Sequence, residues 1–163
     1  LDREDGFGDY HNQHPFALLY FNERFQQIYA GWWRDLLTPV NPHTGLSLAK
    51  DPAVAIAEIV NEDSYFFWTF DPYKRVSADQ MAILEKRFGD WLTREFGSVE
   101  KALDAFDDTV RGDDASAGRV GFIHLSQMSN PKSLRAQKTA EFLARDQAAF
   151  HRQAIWLLKE DLG

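Results

Sequence analysis

Residues 51–63 read DPAVAIAEIVNED, and how they are folded decides what kind of protein this is. Ala53 through Val60 is short, partly β-branched and apolar at odd and even positions alike. A strand buried on both faces of a parallel sheet has this pattern, because neither parity meets water. A short buried helix is the competing reading. Pro52 ahead of the run and the polar break at Asn61 favour the strand. The run ends on Asn61-Glu62-Asp63 and passes directly into Ser64-Tyr65-Phe66-Phe67-Trp68. An amide and two carboxylates are thereby set beside a nest of rings.

On the N-terminal side, residues 1–20 are polar, contain Gly6, Gly8 and Pro15, and read as a loop region. Residues 21–40 read as a helix. Phe25, Ile28, Tyr29, Trp32, Trp33, Leu36 and Leu37 recur at i, i+3, i+4, i+7 and onward, a wide apolar stripe whose ordinary meaning is core packing. Asn22 is the expected N-cap and Pro39 the stop. On the C-terminal side, residues 77–130 read as a helical insertion. Ser77 and Gln80 have capping-box spacing, and Met81, Leu84, Phe88, Trp91, Leu92 and Phe96 make one apolar face that Gly97 closes. A shorter helix covers Val99 to Phe106, and 107–118 is an acidic, glycine-containing loop. From Pro131 a helix runs to residue 163.

One strand among several helices is incomplete, since its backbone groups would lack ladder partners. Either 53–60 is not a strand or its partners lie outside the sequence. The start Leu1-Asp2-Arg3, without Met or a signal-peptide pattern, suits a processed or cut chain.

The 163 residues suffice for one domain with a sizeable core. A net charge of −7 with no Lys/Arg cluster disfavours nucleic acid and anionic membranes as partners. No apolar run approaches the roughly 20 residues of a membrane span. The absence of cysteine excludes a disulfide framework and thiolate chemistry and leaves the compartment undetermined.

Ligands of α/β sheets bind at the carboxyl ends of parallel strands, where Asn61 and Glu62 would stand. A glutamate partly desolvated among rings has its charged form disfavoured, the tuning a general acid needs near neutral pH. The Asn61 amide can hydrogen-bond a substrate hydroxyl, and aromatic faces suit stacking on sugar rings. The three together point to carbohydrate chemistry rather than to phosphate or nucleic-acid work.

Leu36-Leu37-Thr38, Asn41-Pro42-His43-Thr44-Gly45, Asp51-Pro52-Ala53-Val54-Ala55 and Asn61-Glu62 follow one another in the order of a known family. The segment Phe21–Trp68 resembles the middle of a cellulase-like glycoside hydrolase (family-five-like) of the retaining clan built on (β/α)8 barrels. A weaker similarity runs through Leu84–Gly97 and the last helix. The resemblance implies an α/β fold: the central part of a single TIM-barrel catalytic domain, helix-rich, with 53–60 as the fourth strand and a long helical insertion after it. It implies that Glu62 is the general acid/base in retaining hydrolysis of β-linked oligo- or polysaccharides and that Asn61 contacts the hydroxyl next to the anomeric carbon. No cofactor or metal is implied. The nucleophile, a glutamate about 5–5.5 Å from the acid in retaining enzymes, would lie beyond this sequence, so the segment alone is expected to be inactive. A complete barrel needs about 250 residues. Asp63 stands where the family often has Asn.

Trp68 is a second candidate, as the wall of a sugar subsite or as packing beneath the insertion. Phe66 and Phe67 read more as packing. His11 and His14 are candidate substrate contacts, with exposed loop histidines as the plainer reading. Asp63 reads as a solvent or loop-cap residue. Asp113-Asp114 could face a calcium ion but lacks the EF-hand pattern. The function outside the glycosidase class that fits the same residues is a non-catalytic helical protein-interaction module.

Overall fold

Asn22 separates two helices and caps the second. In the computed structural model of the chain, residues 7–10 and 14–162 are described. Leu18–Phe21 forms a single buried turn, α1, and Glu23–Leu37 forms α2. The Asn22 side chain accepts from the Phe25 N–H at 2.8 Å, the cap expected from sequence. Its Nδ2 donates to Gln80 Oε1 at 2.6 Å, joining the start of α2 to the start of α3, Ala78–Phe96. Gln80 is therefore not closing a capping box on Ser77, whose own side chain makes no cap bond. Gly97 ends α3 at φ +88, a left-handed turn that favours glycine, and Val99–Phe106 follows as α4. The last helix, α5, covers Leu134–Trp156 behind a Ser133 cap and passes into a π-helical turn over Leu157–Asp161.

The core lies where α1, α3 and α5 meet. Met81, Leu84, Phe88 and Leu92 of α3 are buried, as their spacing predicts, with Leu18, Tyr20 and Phe21 of α1 and Phe142, Leu143 and Phe150 of α5. Phe88 stacks on Phe142 at 4.9 Å and lies 5.0 Å from Phe122. Each such side chain contributes about 1.5–3 kcal/mol by leaving water. A smaller cluster of Trp33, Leu37, Leu157 and Leu162 folds the C-terminal turn onto α2. The α2 stripe is wider than its cover, and Trp32 is 55% exposed.

Arg135, at the start of α5, fastens the irregular connection after α4. Its side chain is 0% exposed. It donates to Asp113 Oδ1 and Oδ2 at 3.0 and 2.9 Å, to the Gly121 carbonyl, and to Asp108, and it lies 4.6 Å from the Phe106 ring. Asp113 in turn accepts from the N–H groups of Val110 and Gly121.

The expectation of an α/β fold, a TIM-barrel segment with 53–60 as strand four, is overturned. The described residues are helical, and no sheet forms among them, only the isolated antiparallel bridges Val40–Ser47 and Asp114–Arg119. Residues 53–60 run as irregular chain over the surface, with Ile56 86% exposed. Their backbone is anchored at the two ends, by Val54 N–H to the Asp51 carbonyl and by the Tyr29 hydroxyl to the Ile59 carbonyl at 2.8 Å. The cause is the missing ladder: with no neighbouring strand among the described residues to pair its N–H and C=O groups, an apolar run leaves them to water. The fold is all-α. No described helix is long and apolar enough to cross a membrane.

Candidate functional site

Asn61 and Glu62 stand at the start of a loop, residues 61–70, that the rest of the molecule grips from both sides. Asp63 holds the first side. Its Oδ2 accepts from the Ala17 N–H and its Oδ1 from the Thr69 hydroxyl, each at 2.8 Å, while its carbonyl accepts from the Tyr20 hydroxyl. Asp63 is thus the loop's clamp, the cap role among its two sequence readings. It also holds Ala17 in a left-handed conformation, φ +64.

The second side is held by consecutive residues of α5. Gln147 Oε1 accepts from the Ser64 hydroxyl and the Tyr65 N–H, each at 3.0 Å. The Tyr65 hydroxyl donates to Asp146 Oδ2 at 2.9 Å, and Arg87 pairs with the other Asp146 oxygen. Tyr65 is 0% exposed. Burial, with the Asp146 charge beside it, pushes its hydroxyl well above the ordinary range. Thr69 and Phe70 are buried as well.

What the clamps leave outside is the candidate surface. Asn61 and Glu62 are exposed, and neither side chain has a hydrogen-bond partner among the described residues. Glu62 adopts φ +48, a left-handed backbone uncommon for a residue with a side chain. Phe66, Phe67 and Trp68 are exposed too, Trp68 at 56%. The Trp68 ring packs on Phe16 and Phe67 at centroid distances of 5.9 and 5.8 Å, and the Arg75 guanidinium lies 4.9 Å from it. Trp68 therefore lies on the surface rather than beneath an insertion, and Phe66 and Phe67 are less buried than packing would make them. Glu62 is in solvent, not shielded among rings. The aromatic residue at the centre of the loop's packing is Tyr65, which faces inward.

His14 is exposed against Phe16, with ring centroids 5.3 Å apart. His11 lies outside the described residues. Among the described residues no three His, Asp or Glu side chains gather as metal ligands. Asp113 is taken up by Arg135. Asp114 accepts from Ser116 Oγ, the Ala117 N–H and Arg119, bonds that lower its carboxyl to about 2.

Two further groups stand outside the candidates named from sequence. His151 of α5 donates from Nδ1 to the Gln147 carbonyl at 2.8 Å, because a carbonyl can only accept. The ring lines a shallow groove together with Phe66, Gln147 and Arg152. Glu85, buried on α3, is the carboxyl that burial pushes up, with Arg119 and Tyr73 partly opposing. Its signal was available: it stands four residues after Met81 and three before Phe88, on the apolar face. It lies beneath Tyr73 and Gly112, away from the loop.

Chemically the loop offers a free carboxylate and a free amide next to exposed ring faces, on a backbone fixed at both ends. No family model, no curated protein and no solved structure matches the chain.

Proposed function

We propose that the chain serves an O-glycosyl hydrolase acting on β-linked oligo- or polysaccharides, with Glu62 as general acid/base and Asn61 as its substrate-orienting neighbour. The observation that carries the reading is the contrast within the loop. Asp63, Ser64, Tyr65 and Thr69 all make bonds that hold the structure. Glu62 makes none among the described residues, yet its backbone is kept in a strained left-handed conformation. Strain retained around a group without a structural task is a mark of function.

In the proposed reaction the Glu62 carboxyl gives its proton to the glycosidic oxygen as the bond from that oxygen to the anomeric carbon breaks. A second carboxylate, contributed from outside this sequence, bonds to that carbon. In the second half Glu62, now ionised, takes a proton from water as the water oxygen attacks the anomeric carbon and the carboxylate leaves. Trp68 and Phe66 supply flat apolar surface for a sugar ring, and Asn61 a hydrogen bond to the adjacent hydroxyl.

In the intact enzyme Glu62→Gln should lower hydrolysis of an ordinary β-glycoside by about 10²–10⁴-fold, the usual contribution of a positioned proton donor. An activated aryl leaving group, or azide as external nucleophile, should restore part of the rate. Unchanged turnover of the ordinary glycoside sinks the assignment.

The all-helical fold and the exposed Trp32, Leu36 and Trp156 favour a second reading, a helical protein-interaction module. Under it Glu62→Gln is silent, and saccharides leave Trp68 fluorescence unchanged.

A further inference from the structure

Three arginines converge on one cleft of a chain whose net charge is −7. The cleft, about 370 Å³, lies between α3 and α5. Arg87, Trp91 and Arg94 share one face of α3 at i, i+4 and i+7, and Phe142, Arg145 and Asp146 face them from α5. Trp91 and Phe142, with ring centroids 5.9 Å apart, give the cleft an apolar part.

The acceptors here are already engaged and many of the donors are not. Asp146 spends both oxygens on Arg87 and the Tyr65 hydroxyl. Asp90, also on the lining, pairs with Lys86. Lys138, 5.7 Å from the Trp91 ring, is paired with Glu95 and Glu141. Arg94 has no partner among the described residues. Arg145 gives one nitrogen to Glu141 at 3.0 Å, and Arg87 keeps a buried Nε without a partner. A guanidinium carries five N–H donors in a planar fork that fits a carboxylate better than a spherical anion.

We propose that this cleft binds a carboxylate carried on a ring, its oxygens taken by Arg94 and Arg145 and its ring laid on Trp91, beside the nearly buried Phe142. A uronic acid unit of a saccharide and an aryl carboxylate share that chemistry. The inference does not rest on the role of Glu62: the two regions meet through the Tyr65–Asp146 bond, and either assignment can fail alone.

The test is an NMR titration of the ¹⁵N-labelled chain. Sodium glucuronate and sodium benzoate are the probes, glucose and benzyl alcohol their neutral counterparts, and acetate a carboxylate without a ring. One or both ring acids should move the Trp91 indole and arginine side-chain signals to saturation, at least about tenfold more tightly than the neutral compounds, the low end for one charge-assisted hydrogen bond, and more tightly than acetate, which lacks the ring. Glucuronate alone marks a sugar-acid site and benzoate alone an aryl-acid site. Arg94→Ala with Arg145→Ala changes two exposed side chains, so the fold, checked by circular dichroism, should persist while affinity falls at least about tenfold. Equal response to all five compounds, no response to either ring acid, or full binding by the double variant overturns the proposal.

Discussion

Replacing Arg135 by alanine should cost about 3–5 kcal/mol, the range for breaking a buried ion pair by removing one partner. Arg135 is fully buried, and the substitution strips Asp113 of two hydrogen bonds at 2.9 and 3.0 Å, leaving its nearly buried carboxylate with only the N–H groups of Val110 and Gly121. The Phe106 ring loses the guanidinium above it, and Asp108 and the Gly121 carbonyl lose donors. Set against a typical stability of about 5–15 kcal/mol, the loss is at least about a fifth of the total. For a chain of this size it corresponds to a fall in Tm of about 6–20 °C. Urea unfolding followed by circular dichroism measures it, provided the m-value is unchanged. A double-mutant cycle with Asp113→Asn should give a coupling of about 0.5–3 kcal/mol. A loss under about 1 kcal/mol, the scale of a surface pair, would refute the account of Arg135 as the fastening of residues 107–123.

Gly89→Ala pits helix propensity, which favours alanine by about 1 kcal/mol, against a clash of the new Cβ with the Gly118 carbonyl. Backbone cannot swing aside as a side chain can, so a net loss of about 1–3 kcal/mol is expected in a thermal melt. Tyr65→Phe leaves Asp146 Oδ2 buried without its donor. It should cost about 1–3 kcal/mol and speed amide exchange across residues 61–70 while the α3 core stays protected. Two shifted carboxyls, Glu85 and Asp114, work in opposite directions with pH. Glu85 binds its proton more tightly folded than unfolded, so its contribution is fully present below its ordinary value of 4.5 and is lost as pH rises through the raised folded value. Glu85→Gln should flatten that decline. Asp114, lowered from 3.8 to about 2, stabilises above 3.8 and loses its effect as pH falls toward 2, so Asp114→Asn should blunt the acid limb of the stability profile.

The long helices were legible because each must bury one stripe, and a stripe with a 3.6-residue period shows in the order of residues alone. Val99–Phe106 has the bounds its sequence suggests, and Asn22 and Gly97 act as the caps they look like, since both roles depend on atoms a few residues away. The signals that misled were those needing a distant partner. Gln80 has capping-box spacing, but the Asn22 amide claims it from another helix. Trp32 continues the α2 stripe, but it packs on its neighbour Trp33 and stays 55% exposed. The apolar run 53–60 has a strand's composition and no strand beside it among the described residues. At the candidate site the sequence singled out Asn61 and Glu62 without the means to see that Asp63 and Tyr65 do the holding, because their partners Ala17, Tyr20 and Asp146 are remote along the chain.

By itself the order of residues determined which segments coil, where the coils stop, and which side of each meets the core, all of which are set by forces acting within a few residues. Only the tertiary structure decided that 53–60 stays unpaired among the described residues, that Glu62 faces solvent while Glu85 and Asp146 are buried, and that three arginines share a cleft with Trp91. The physical reason is that backbone pairing, desolvation and charge clustering depend on which distant groups come within a few ångströms, and spacing along the chain does not encode that distance.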